Sequence, residues 1–241
     1  MTVTTRPKLI VALDIPDLGT ATALVERLAP LGVWFKVGYE SLFGYGDAIR
    51  TRLEGLGADV FLDAKLHDIP RTVEAAVRAL VRPRVRILTV HALGGNEMLQ
   101  AAVAGAKERA AELGIEPPGI FAVTLLTSIA PEDLNELGLQ GGPGENTMRL
   151  GALARDARCA GVVCSPHEVR DLKAYFGQDF AALCPGIRPL GAPYGDQKRV
   201  ATPRDAVEAG ADYLVVGRPI VEASDPVAAT RAILAEMEMA A

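Results

Sequence analysis

Val60-Phe61-Leu62-Asp63-Ala64-Lys65 reads as a buried strand, apolar at its start and ending in two charges spaced by two. Side chains alternate along a strand, so Phe61, Asp63 and Lys65 share one face and Leu62 and Ala64 the other. Asp63 and Lys65 alone read equally well as a structural ion pair. Lys36, at the analogous place in Trp34 to Val37, joins them, and Asp68 adds a fourth charge. Buried ion pairs often fail to recover a desolvation cost of several kcal/mol per ion, so an array of this kind asks for a functional reason.

Similar runs recur along the chain. Leu9 to Leu13, Trp34 to Val37, Val60 to Lys65, Ile87 to Val90, Ile120 to Leu125, Gly161 to Cys164, Ala181 to Cys184 and Tyr213 to Val216 read as strands. Helices are expected between them, at Ala21 to Leu31, Gly46 to Leu56, Thr72 to Val81, Glu97 to Leu113, Asn146 to Ala160, Pro166 to Phe176, Pro203 to Ala209 and Pro226 to Met237. Pro166, Pro203 and Pro226 each follow Ser, Thr or Asp, the order that starts a helix, while Gly32, Gly57, Gly114 and Gly210 close helical stretches. The chain of 241 residues then divides into units of about 30, the size of a strand plus a helix. Asp14, Lys65, His91, Thr127, Ser165 and Arg218 all fall at or just past strand C-termini. Spread over most units, they favour a closed (β/α)8 TIM barrel over an open sheet, whose functional groups gather at one switch point. No linker or low-complexity stretch divides the sequence, so residues 1–241 read as a single domain of α/β class.

Composition narrows the function. A net charge of −5 gives no general attraction to nucleic acid or an anionic membrane, so an anionic ligand must be caught locally. The longest apolar runs, such as Gly119 to Leu126, fall far short of the ~20 residues that cross a bilayer. Arg6 and Lys8 precede an apolar run that Asp14 breaks too early for a signal peptide, and the expected location is the cytoplasm. Cys159, Cys164 and Cys184 have no CxxC spacing, and His67, His91 and His167 are scattered, so neither a disulfide nor a metal is expected. Gly141-Gly142-Pro143-Gly144 lacks a following Gly-Lys-Ser/Thr and reads as a flexible connection, not a P-loop.

Asp63-Ala64-Lys65-Leu66-His67-Asp68-Ile69-Pro70, with Thr72 close behind, resembles the signature of the orotidine 5′-monophosphate decarboxylase family. Ala12-Leu13-Asp14, Lys36-Val37-Gly38, Leu126-Thr127-Ser128, Pro185-Gly186-Ile187-Arg188 with Asp196-Gln197, and Val216-Gly217-Arg218-Pro219 match the family in order across the chain. Arg71 departs from the usual Asn or Thr at a position read as surface. The Asp-x-Lys-x-x-Asp element also resembles magnesium-dependent sugar-phosphate decarboxylases and synthases, the alternative reading. The Pro-Gly-Ile-Arg and Asp-Gln elements resemble the orotidylate enzymes instead.

The resemblance implies decarboxylation of orotidine 5′-monophosphate to uridine 5′-monophosphate in pyrimidine biosynthesis, with no metal or cofactor. It implies Lys65 as proton donor to C6, with Asp63, Lys36 and Asp68 completing the catalytic array. Asp14 and Lys36 would hold the ribose hydroxyls and Thr127 the pyrimidine amide edge. Pro185, Arg188, Gln197, Gly217 and Arg218 would bind the rest of the nucleotide, the segment from Pro189 to Asp196 acting as a lid. It further implies Ile69 and Thr72 as substrate-binding residues, and a homodimer in which Asp68 and Thr72 reach the neighbouring active site. Unaided, Asp68 and Thr72 read equally well as an N-cap and a first-turn residue.

Overall fold

Strand β1 (Lys8–Ala12) pairs in parallel with β2 (Trp34–Val37), and the ladder continues through β3 (Val60–Leu66), β4 (Val85–His91), β5 (Gly119–Val123), β6 (Gly161–Val163), β7 (Ala181–Cys184) and β8 (Tyr213–Val216). β8 pairs back onto β1, closing a barrel of eight parallel strands. This computed structural model describes residues 7–190 and 200–240. Alternation divides the core into two layers. Ile10, Phe61, Ile87, Phe121, Val123, Val163, Leu183 and Val215 fill the barrel interior. Val11, Leu62, Leu88, Ala122, Val162 and Leu214 face the helices. A Cβ at Gly161 would lie 2.1 Å from the Ala181 carbonyl oxygen and 2.8 Å from the Phe121 ring, so only glycine lets β6 approach β7 there.

The outer ring comprises α1 (Leu18–Leu28), α2 (Tyr39–Tyr45), α3 (Asp47–Gly55), α4 (Pro70–Leu80), α5 (Gly95–Leu113), α6 (Pro143–Asp156), α7 (Val169–Phe176), α8 (Pro203–Glu208), α9 (Arg218–Val221) and α10 (Pro226–Glu238). Asp225 and Thr202 cap α10 and α8 through their side chains, as the Asp-Pro and Thr-Pro pairs imply.

Several boundaries differ from the sequence expectations. The stretch read as Ala21 to Leu31 starts earlier, because Asp17 caps the Thr20 N–H, and its last turn, Ala29–Leu31, tightens to a 3₁₀ turn around Pro30. Pro166 to Phe176 likewise opens as a 3₁₀ turn, Pro166–Glu168, before α7. The Gly-rich connection already contains the start of α6, where the Glu145 carboxylate accepts the Gly142 N–H. Asp68 is not the N-cap of α4; Ile69 holds that position and Asp68 accepts the Ile69 N–H at 2.6 Å. Among the described residues no helix is long and apolar enough to cross a membrane. The three cysteines are free and buried, and burial pushes the Cys159 thiol up to about 12.

Candidate active site

A cavity of about 510 Å³, within the range of small-molecule sites, opens at the C-terminal ends of the strands. Asp14, Lys36, Asp63, Lys65, Thr127, Pro185, Arg188, Gly217 and Arg218 line it, so residues far apart in sequence meet around one cavity.

The charges form an alternating chain. Lys36 Nζ donates to Asp14 Oδ1 at 2.9 Å and lies 3.9 Å from Asp63 Oδ2, to which Lys65 Nζ donates at 2.5 Å. Asp63 is 7 % exposed, so protein groups rather than water must stabilise its charge. Beyond the two lysines, the Thr89 hydroxyl donates to Asp63 Oδ1 at 2.9 Å. The same hydroxyl accepts the Lys65 N–H at 3.0 Å, and Lys65 has φ +41°, in the left-handed region. The Tyr39 ring lies 5.5 Å from Lys65 Nζ, and burial followed by the Asp63 charge raises the Tyr39 phenol above its ordinary value.

Gly38 keeps this chain intact. A Cβ there would lie 2.7 Å from Lys36 Nζ and 3.4 Å from Asp14 Oδ1, while its backbone φ of −102° suits any residue. The flexible ammonium would give way, so Gly38→Ala should unfold within about 1 kcal/mol of the wild type by denaturant titration. Breaking the Lys36–Asp14 contact should cost about tenfold in KM, roughly one charge-assisted hydrogen bond. An unchanged KM would show that Lys36 does not need that position.

On the β8 side of the cavity, Gly217 stands at the N-cap of α9, which begins at Arg218. Arg188 is buried and donates to the Ile187 carbonyl at 2.9 Å. Ile187 and Ala201 form a bridge, and the Arg188 N–H donates to Ala201 O at 2.9 Å. Gln197 and most of the expected lid lie outside the described residues.

Asp68, Ile69 and Thr72 do not line this cavity; they sit exposed at the start of α4. His91 is half-buried, 5.6 Å from the exposed His67 ring. Burial first, then His67 and Lys65, hold His91 below the ordinary imidazole value, which favours a neutral ring at neutral pH. Thr89, Tyr39 and Glu222 are polar site residues that sequence reading missed; Glu222 lines the cavity, as does Ser128, which the sequence reading gave only as part of a motif. Among the described residues, no group of three or more His, Cys, Asp or Glu could hold a metal ion.

The chain matches the family model described as Orotidine 5'-phosphate decarboxylase / HUMPS family over residues 7–233. It is 50 % identical over 235 residues to the orotidine 5'-phosphate decarboxylase of Moorella thermoacetica, covering 97 % of this chain and 93 % of the relative. It is 46 % identical to that of Halorhodospira halophila, covering 100 % of each. Among solved structures it resembles the orotidine 5'-phosphate decarboxylase of Lactobacillus acidophilus at TM-score 0.84 and 39 % identity, covering 96 % of this chain and 99 % of that one.

Proposed function

The chain belongs to the orotidine 5'-phosphate decarboxylase / HUMPS family, and from that premise we propose how its residues act on orotidine 5′-monophosphate. It is a carboxy-lyase that converts this nucleotide to uridine 5′-monophosphate in pyrimidine biosynthesis, the activity named for its relatives. The magnesium-dependent sugar-phosphate reading is not favoured by that similarity.

One observation carries the assignment of roles: the chain Asp14, Lys36, Asp63, Lys65 along one wall of the cavity. When the C6–carboxylate bond breaks, its electron pair remains on C6 as carbon dioxide leaves. An ammonium at C6 stabilises that charge and then donates its proton, so Lys65 serves as electrostatic partner and acid at once. Lys65 ends neutral and regains a proton from solvent, which completes the balance without a cofactor. Asp63 fixes both lysines, and its charge opposes the substrate carboxylate in the ground state, a repulsion that vanishes with carbon dioxide.

Asp14 and Lys36 hold the ribose hydroxyls and Thr127 the pyrimidine edge. Pro185, Arg188, Gly217 and Arg218 hold the phosphate end. This division is supported by the positions of the described residues around the cavity and by the planar donor fork that arginine offers a phosphate. Binding energy from the phosphate can then order a site remote from it.

The working unit is a homodimer in the cytoplasm. Tyr39, Phe43, Ile69 and Leu93 expose large apolar surfaces on the segments after β2, β3 and β4, beside the exposed Asp68 and Thr72. A second copy would cover this surface and receive Asp68 and Thr72. Free, buried cysteines suit a reducing compartment.

Loss of orotidine 5′-monophosphate absorbance on adding purified protein tests the reading. Turnover should be unchanged in EDTA. If turnover disappears in EDTA and returns with magnesium, the metal-free mechanism is wrong. Should the protein instead turn over only a sugar phosphate, the alternative reading replaces this one.

A further inference from the structure

We propose that Thr89 is a positioning residue for the decarboxylation, its single hydroxyl fixing the catalytic pair Asp63 and Lys65 relative to each other. The inference rests on reading those two residues as the reacting pair. Thr89 lies inside β4, fully buried, with the same inward parity as Ile87 in the barrel interior. A hydroxyl in such a wall is unfavourable unless bonded. Here it is used twice, donating to Asp63 Oδ1 at 2.9 Å and accepting the Lys65 N–H at 3.0 Å.

The need for that acceptor comes from the strand itself. The β3–β4 register runs Phe61 with Ile87 and Leu62 with Leu88, then jumps to Leu66 with Val90. β3 therefore advances farther than β4 between the two pairings, and the excess forms a bulge around Asp63, Ala64 and Lys65. Lys65 adopts φ +41° within it, a conformation that residues with a Cβ rarely take. The regular ladder is interrupted at that point, and the Thr89 side chain supplies an acceptor for the Lys65 N–H. Tyr39 is a weaker restraint on the bulge: its hydroxyl lies 3.5 Å from the Lys65 carbonyl and the residue is 47 % exposed.

The consequence is geometric. With Oδ1 held by Thr89, the Asp63 carboxylate presents Oδ2 to Lys65 and Lys36. Losing the hydroxyl frees the carboxylate to rotate and the bulge to relax, and the ammonium loses its fixed place.

Three variants decide it: Thr89→Val, which keeps the shape without the hydroxyl, Thr89→Ser, which keeps the hydroxyl, and Lys65→Ala. Steady-state kinetics and uridine 5′-monophosphate binding are measured for each. Thr89→Val should lower kcat about 10- to 100-fold with KM and product affinity held within about threefold, the scale of a misplaced reacting group. Thr89→Ser should stay within about threefold of wild type in every parameter. Equal losses in the serine and valine variants would overturn the proposal, because serine keeps the hydroxyl and the loss would then not follow it. So would a Thr89→Val protein with wild-type kcat, or one whose kcat and product affinity fall together. If Lys65→Ala itself remains active, the underlying reading of the pair fails, a result separate from any outcome at Thr89.

Discussion

Lys65→Ala should lower kcat for orotidine 5′-monophosphate by about 10⁴-fold or more, because it removes two contributions at once. A positioned general acid is worth about 10²–10⁴ and a preorganised electrostatic partner about 10²–10³. Both belong to the same ammonium, which lies 2.5 Å from Asp63 Oδ2 in the free enzyme. In the proposed division of roles, the phosphate and ribose contacts do not pass through it. Product affinity should therefore be kept or improved, since uridine 5′-monophosphate gains nothing from a proton donor at C6. The variant still places a Cβ at φ +41° and retains the bulge, so its backbone is no more strained than before. It does leave Asp63 with Lys36 as its remaining cationic partner, at 3.9 Å. Rapid-quench turnover beside equilibrium binding of uridine 5′-monophosphate separates the two effects. A kcat within tenfold of wild type would remove Lys65 from the chemistry, and product affinity collapsing with kcat would make it a binding residue.

The barrel could be read from the sequence because each strand carries an apolar run and each intervening stretch a helical face. Charge hid some boundaries. β4 begins at Val85, two residues before the expected Ile87, because Arg86 looks like loop yet its guanidinium pairs with Asp59 at 2.8 Å beside the strand. β5 stops at Val123, short of Leu125, where Thr124 donates through both its backbone N–H and its hydroxyl to Val163 O. α2 went unseen: seven residues including Gly44 give too little periodicity. The site shows the same division. Asp63 and Lys65 stand out because charge is rare on a buried strand, whereas Thr89 is a neutral residue among apolar ones and gives no pattern. Its importance appears only once the β3 bulge brings two of its neighbour's groups to one hydroxyl. Asp68 illustrates the converse. Sequence spacing puts it with the array, but the chain turns its carboxylate onto the Ile69 N–H, outside its own cavity.

That displacement makes the role of Asp68 testable by mixing two inactive proteins. If Asp68 completes the partner's site, Lys65→Ala and Asp68→Asn should complement each other. Asp68→Asn alone should lose about 10²–10³ in kcat, the scale for removing one group that stabilises the reacting centre. A two-fold dimer exchanges the same segment in both directions. In a mixed dimer, one site takes its lysine from the Asp68→Asn chain and its aspartate from the Lys65→Ala chain, and both are native. The other site lacks both. Random reassortment makes half the dimers mixed, so the mixture should recover about a quarter of wild-type turnover from parents that have almost none. The two proteins are combined in mild denaturant, diluted together and assayed beside each parent treated alone. Recovery near a quarter, with the lone parents still inactive, places Asp68 across the interface that Tyr39, Phe43, Ile69 and Leu93 leave uncovered in the single chain. No recovery, in a mixture shown by differential tagging to contain mixed dimers, assigns Asp68 to its own chain's site or to none. The exposed apolar surface would then have to be explained without any exchange of catalytic groups.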